Sequence, residues 1–279
     1  MAGDGVQGRN HEVEVGASAA ADAPYYLPSG NEVQVFEAAH RRRLPVMLKG
    51  PTGCGKTRFV EHMAHRLGLP LISVACHEDL TAADLVGRYL LSGGETVWVD
   101  GPLTRAVRRG GICYLDEIVE ARADSMVVIH PLADHRRALH IERLDETLQA
   151  PPPFMLVVSY NPGYQSVLKD LKQSTRQRMV AIEMHYPAAE QEIRIVAGES
   201  GIETSIAADL VKLAQAIRKL DTSTLPEVSS TRTLIATAQL VREGLSLREA
   251  ATAAMLLPLT DDVDVRRGLG EVINTYLPA

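Results

Sequence analysis

Aromatic residues are scarce in this chain: three Phe, eight Tyr and one Trp among 279 residues. A core of ordinary size must therefore be mostly aliphatic. Cysteine is scarcer still. Cys54, Cys76 and Cys113 lie far apart, without metal-ligand spacing, which excludes a zinc module or a disulfide framework and makes a reducing, cytoplasmic setting the default. No long apolar run is present, so no segment is expected to span a membrane. The N-terminus lacks the basic-then-apolar pattern of a secretory signal. Basic charge is not in excess either: a formal net charge of −6 argues against nucleic acid as the main partner. There is no Asn-Lys-x-Asp motif of the kind a guanine-specific switch GTPase needs. Beyond Tyr186-Pro187 there is no strand signal at all.

What the sequence does have is Gly50-Pro51-Thr52-Gly53-Cys54-Gly55-Lys56-Thr57, which fits G-x-x-x-x-G-K-[ST]. The apolar run 44–48 before it reads as a buried strand. The segment 58–67 after it carries Phe59, Val60, Met63, Ala64 and Leu67 at helical spacing. Strand, glycine-rich turn and helix together make a phosphate-binding loop, because its backbone N–H groups and the helix dipole both favour an anion. Lys56 should reach the β- and γ-phosphates of ATP, and the Thr57 hydroxyl should ligate Mg²⁺.

A second signal is Gly111-Ile112-Cys113-Tyr114-Leu115-Asp116-Glu117, an apolar strand ending in two acids. Ligands of doubly wound sheets bind at the carboxyl ends of strands. Asp116 there can hold the Mg²⁺ shell, and Glu117 can polarise a water for attack on the γ-phosphate. A third apolar strand, 154–159, leads to Tyr160-Asn161-Pro162, where Asn161 can hydrogen-bond the attacking water or the γ-phosphate. Arg176 and Arg178 precede a further strand, 179–182. Arg232 falls in the first turn of a helix that Ser229-Ser230-Thr231 can cap. A cation opposes the dipole there, and a nearby phosphate would make its placement favourable.

The remaining organisation is coarser. Residues 1–23, rich in Gly and Ala, read as a mobile arm with one weak alternation at Val13 and Val15. Ser29-x-x-Glu32 reads as a capping box opening a helix to about Arg42. Tyr25 and Tyr26 before it are placed either to pack or to lie against an adenine base. Segments 87–91 and 96–99 flank Gly93-Gly94 as a hairpin carrying the only tryptophan, Trp98. Segments 138–141 and 147–149 form another. Short helical pieces are expected at 166–172 and 174–178. Helices should fill the last third, at 188–197 and near 230–242, 247–256 and 262–276, with one more carrying an apolar face of Ile206, Leu210, Leu213, Ile217 and Leu220. The fold class expected is α/β: a P-loop parallel sheet with flanking helices and two inserted β-hairpins, residues 24–186, followed by a small all-α lid domain, residues 187–279.

Taken in order, these residues resemble the AAA+ ATPases from about Tyr25 onward: Walker A at 50–57, Walker B at 112–117, a sensor Asn at Asn161, an arginine-finger segment Ser174-Thr175-Arg176-Gln177-Arg178, and a sensor-2 arginine at Arg232. The two hairpins resemble the helix-2 insert and pre-sensor-1 hairpin of the MoxR group. Leu85-Val86-Gly87-Arg88-Tyr89 and Val97-Trp98-Val99-Asp100-Gly101-Pro102-Leu103 look like the CbbQ/NorQ/NirQ subgroup. Many MoxR relatives have Asp-Arg-Phe where this chain has Gln177-Arg178-Met179, so Arg178 matches the family arginine with Arg176 as its rival.

The resemblance implies a homo-hexameric ring with ATP between subunits, and pore-facing loops that include the 89–99 hairpin. It also implies a CbbO-like adaptor with a von Willebrand factor A domain, and Rubisco as the preferred client, reactivated by release of inhibitory sugar phosphates. Maturation of nitric oxide or nitrite reductase is the alternative. A P-loop kinase would share the loop but would not need Asn161, Arg232 and two hairpins in this order. An MCM-like nucleic-acid motor is disfavoured by charge. A nucleotide-binding scaffold with weak turnover is disfavoured by Glu117 and the arginines.

Overall fold

The computed structural model describes residues 12–15, 23–162, 173–220 and 228–278. In chain order the strands are β1 (Glu12–Val15), β2 (Val46–Lys49), β3 (Leu71–Ala75), β4 (Gly87–Ser92), β5 (Glu95–Asp100), β6 (Ile112–Asp116), β7 (Ala138–Ile141), β8 (Glu146–Gln149), β9 (Met155–Tyr160) and β10 (Val180–Glu183). The helices are α1 (Glu32–Arg41), α2 (Lys56–Leu67), α3 (Ala82–Val86), α4 (Pro102–Arg109), α5 (Ala123–Ile129), α6 (Gln173–Arg176), α7 (Ala189–Ser200), α8 (Thr204–Arg218), α9 (Thr231–Arg242), α10 (Leu247–Ala251) and α11 (Val263–Tyr276). The helical piece expected at 166–172 lies outside the described residues.

Six strands form one sheet in the order β1-β3-β6-β9-β2-β10. β3, β6, β9, β2 and β10 run parallel. β9 lies inside this sheet and all six of its residues are buried, as a strand covered on both faces must be. Alternate residues feed opposite cores. Met155 and Val157 pack with Phe36, Phe59 and Met63 of α1 and α2. Leu156, Val158 and Tyr160 pack with Leu103, Val107 and Ile129 of α4 and α5. A third core, from Val196 to Leu277, is built by the C-terminal helices. Ile206 is half-buried and Leu210, Leu213 and Ile217 are buried as the spacing predicts. Leu220, past the end of α8, is exposed.

Three local expectations need correction. The arm reading of residues 1–23 fails at β1, which pairs antiparallel with β3 from Glu12↔Val74 to Val15↔Leu71. That pairing covers the ladder β3 would otherwise present as the sheet edge. At α1 the capping residue is Asn31, which makes no side-chain cap bond. Only the acidic half of the box forms: the Glu32 carboxylate accepts from the N–H groups of Ser29 (2.6 Å) and Gly30 (2.8 Å), and from the Tyr26 hydroxyl (2.9 Å). The helix expected over 247–256 is α-helical only to Ala251; its last turn, Thr252–Leu256, widens to π geometry and buries Met255 and Leu256 together.

Both hairpins form. β4 and β5 are joined through Gly93-Gly94, both at positive φ, as a two-residue turn requires. Trp98 stacks edge-on against Tyr89, donates to Asp100 (2.7 Å) and packs on the core below the sheet. The exposed apolar side chains of this hairpin are instead Leu90, Leu91, Val97 and Val99, with Tyr89.

Candidate nucleotide site

The carboxyl ends of β2, β6 and β9 converge on one end of the sheet. A cleft of ≈ 1170 Å³ opens there, between the sheet and helices α7 and α9. Its walls include Thr52 to Thr57, Asp116, Glu117 and Arg232. The loop after β2 holds Gly53 at φ +71, and a Cβ there would sit 2.5 Å from Ser230 Oγ. Only glycine fits both the conformation and the close approach of α9. Pro51 and Gly50 contribute carbonyls: Lys56 Nζ donates to Gly50 (2.9 Å) and Pro51 (3.0 Å). Lys56 itself is buried. A phosphate oxygen, fully charged, competes well with two neutral carbonyls for such an ammonium.

The Thr57 hydroxyl donates to Asp116 Oδ2 at 3.3 Å. A hydroxyl and a carboxylate side by side are the hard oxygen donors Mg²⁺ prefers when phosphates and water complete its shell. Among the described residues no cluster of three or more His, Cys, Asp or Glu could cage a metal by itself. The residues present therefore fit a cation shared with a bound triphosphate.

Two residues that sequence reasoning passed over set the acids in place. Asp116 Oδ1 accepts from the Tyr114 hydroxyl (2.7 Å) and from the Ser159 hydroxyl. Ser159 Oγ also accepts from the Glu117 N–H (3.0 Å). Glu117 sits at φ +54, an uncommon conformation for a non-glycine residue, and its exposed side chain faces the cleft. Burial, with the Asp116 carboxylate nearby, pushes the Tyr114 phenol far above its ordinary range, so it stays a donor. The signal for Ser159 was a polar side chain at the end of an otherwise apolar buried strand.

Asn161 is buried and its Nδ2 donates to Thr52 Oγ1 (3.3 Å). Arg232 lies within a complete capping box at the start of α9, between Ser230 and Thr233, which form it. Cys54 is buried, and burial raises its thiol above the usual range against the pull of Lys56 and Arg232. Tyr26 lines the cleft but its ring packs on Phe59 and His62. Tyr25 is exposed and lies against Gly198.

Arg176 and Arg178 do not join this group. They precede β10, whose Val180 pairs with Val46 at the start of β2, whereas the loop follows Lys49 at its end. A four-residue strand at about 3.3 Å per residue puts them about 13 Å away along the sheet. Arg178 is exposed and Nη1 bonds the Ser174 carbonyl; Arg176 is half-buried.

The AAA domain (dynein-related subfamily) model matches residues 45–179, and the CbbQ/NirQ/NorQ C-terminal model matches residues 192–276. Protein NorQ of Paracoccus denitrificans is 60% identical over 263 residues, 94% of this chain and 97% of that one. The chain is an AAA ATPase of the CbbQ/NirQ/NorQ family. Other family members include denitrification regulatory protein NirQ of Stutzerimonas stutzeri, 59% identical over 91% of this chain and 93% of its own length. Protein CbbQ of Hydrogenophilus thermoluteolus is 54% identical over 90% and 94%. A point mutant of RuvB from Thermotoga maritima shares the fold with a TM-score of 0.53 at 18% identity, over 86% of this chain and 67% of that one. In this CbbQ/NirQ/NorQ chain no described helix is long and apolar enough to cross a membrane.

Proposed function

We propose that this chain is the ATP-hydrolysing subunit of a ring, a homo-hexamer on the family pattern, in which each triphosphate lies between two subunits and turnover remodels a protein client. One observation carries the reading: the basic turn with Arg176 and Arg178 stands at the opposite end of β10 from the chain's own phosphate loop. A γ-phosphate gathering charge in the transition state needs a cation close by. A turn about 13 Å distant along the sheet serves a neighbour's phosphate, not its own. Arg178, the more exposed of the two, is the preferred donor.

Within one subunit the roles follow from placement. Residues 50–57 cradle the phosphates, with Lys56 reaching the β- and γ-phosphates. Thr57 and Asp116 would hold Mg²⁺, which supplies charge neutralisation across the phosphate oxygens. Glu117 takes the proton of the attacking water, Asn161 orients that water or the γ-phosphate, and Arg232 binds phosphate from the helical side. The domain limits 24–186 and 187–279 and a cytoplasmic location belong to the same proposal.

For the client, the relatives at 59–60% identity carry the names NorQ and NirQ, and the CbbQ relative stands at 54%. We favour a denitrification reductase, reached through an adaptor with a von Willebrand factor A domain. Rubisco, with a CbbO-like adaptor, is the second reading, supported by the CbbQ match over 90% of the chain. Co-purification from the native host, then ATPase and client assays with the captured adaptor, separates them. Stimulated maturation of the reductase supports the first, and release of sugar phosphate from inhibited Rubisco the second. The shared site is tested by the specific ATPase rate on dilution: it should fall as rings dissociate. A rate independent of concentration, with the protein monomeric by light scattering, would refute it.

A further inference from the structure

Tyr186, in the connection between β10 and α7, touches both halves of the cleft. Its hydroxyl donates to the main-chain carbonyl of Thr52 in the phosphate loop at 2.9 Å. Its ring lies under the Arg218 guanidinium, whose carbon is 4.1 Å from the ring centroid. Arg218 ends α8 and has little freedom. Nη1 and Nη2 donate to the two carboxylate oxygens of Glu192 at 2.8 Å each, and Nε donates to the Ser229 carbonyl at 2.7 Å. Glu192, on α7, is fully buried. Its Oε1 also accepts from the hydroxyl of Thr231 (2.6 Å), the first residue of α9, and Arg232 is the next residue.

A fully buried carboxylate is tolerated only when its charge and lone pairs are matched, and a forked guanidinium does this in one geometry. The pair therefore fixes Arg218 relative to α7, α8 and α9 together. A guanidinium held this way carries the ring stacked beneath it along with any tilt of those helices. At the other end of Tyr186, the peptide joining Thr52 to Gly53 is planar, with C=O and N–H antiparallel. A donor that fixes the Thr52 carbonyl fixes the direction of the Gly53 N–H as well.

We propose that Tyr186 is a positioning residue that couples the pose of the C-terminal helices to the shape of the phosphate loop, with the Glu192–Arg218 pair holding its ring and its hydroxyl holding the Thr52–Gly53 peptide. The proposal rests on the nucleotide reading of the cleft. By linkage, nucleotide that favours one loop shape favours one helix pose, and the reverse.

Tyr186→Phe removes the hydroxyl and keeps the ring. In the full-length protein, titrated with a fluorescent ADP analogue, its Kd should rise about three- to tenfold, the usual reach of one hydrogen bond. KM for ATP should rise by a similar factor while kcat changes less than about twofold, marking a lost binding contact. Arg218→Lys keeps the charge but loses the fork. It should raise the same Kd, and the double variant should be no worse than the weaker single one, because both act through one ring. If Arg218→Lys does not fold, Tyr186→Phe decides alone. A wild type that binds the analogue while Tyr186→Phe matches its Kd overturns the coupling and leaves the nucleotide site standing. Additive Kd effects in the double variant also overturn it. A wild type that binds no nucleotide refutes the functional reading instead.

Discussion

Ser159 makes two hydrogen bonds that no apolar residue could replace, one to the Asp116 carboxylate and one from the Glu117 N–H. Ser159→Ala leaves that N–H without its acceptor and lets both acids drift. We expect kcat to fall about tenfold or more, and stability by about 1–3 kcal/mol, the cost of an unmatched buried polar group; phosphate-release assays and thermal melts check both. Glu117→Gln keeps shape and loses basicity. It should retain ATP affinity and lose at least about a hundredfold in turnover, and a variant that hydrolyses ATP at the wild-type rate removes Glu117 from the chemistry. Cys54 is buried with its thiol raised by that burial, so near neutral pH it is protonated. Iodoacetamide should modify it much more slowly in the native protein than in urea, with mass spectrometry as the readout. Rapid native labelling would show that the loop opens. Lys56 and Thr57 could be singled out because the spacing of the glycine-rich loop is itself the motif, and Asp116 because it ends an apolar strand; the fold brings Thr57 and Asp116 together. Ser159 and Tyr114 were not, since what defines them is a partner: Ser159 lies 43 positions from Asp116, and no local pattern encodes that distance.

Elements whose logic is local could be read in advance. Gly93-Gly94 between two β-prone runs specified the β4–β5 turn, and Ser229-Ser230-Thr231 marked the start of α9, where Ser230 is the cap. β1 could not be read the same way, because the weak alternation of Val13 and Val15 over four residues becomes a strand only beside β3. Nor could the division of labour within the hairpin, where Trp98 faces the core and the neighbouring Leu91 is 82% exposed. Trp98→Ala should therefore destabilise, by about 1–3 kcal/mol for a half-buried aromatic. Leu91→Ser should leave the melting temperature almost unchanged, within about 0.5 kcal/mol. If the hairpin meets a client, Leu91→Ser is also the variant that should weaken remodelling without touching basal ATPase. Equal melting temperatures for Trp98→Ala and wild type would show that the tryptophan does not anchor the hairpin.

At the scale of the molecule, two apolar cores flank the sheet and a third belongs to the C-terminal helices, so the cleft lies between separately packed bodies. The helical C-terminal region was legible as a run of helices without strands; the close approach of Ser230 to Gly53 of the loop was not. A subunit-mixing experiment addresses the assembled state. Lys56→Ala and Arg178→Ala should each be nearly inactive alone. Mixed, some interfaces pair an intact loop with an intact arginine, and activity should rise above both parents. Mixtures no better than their parents, or full activity of both Arg176→Ala and Arg178→Ala, would rule out a site built from two chains.

β10 acquires a particular meaning in such a ring. Among the described residues it is an outer strand paired with β2 alone; the chain beyond its end runs to Tyr186 at the phosphate loop, and the proposed ring would have the arginines before its start serve the next subunit. It would then be a link of set length, four strand residues, between consecutive stations, so a displacement at one would be passed toward the other. Lengthening it by a residue pair would leave every station intact yet put them out of step.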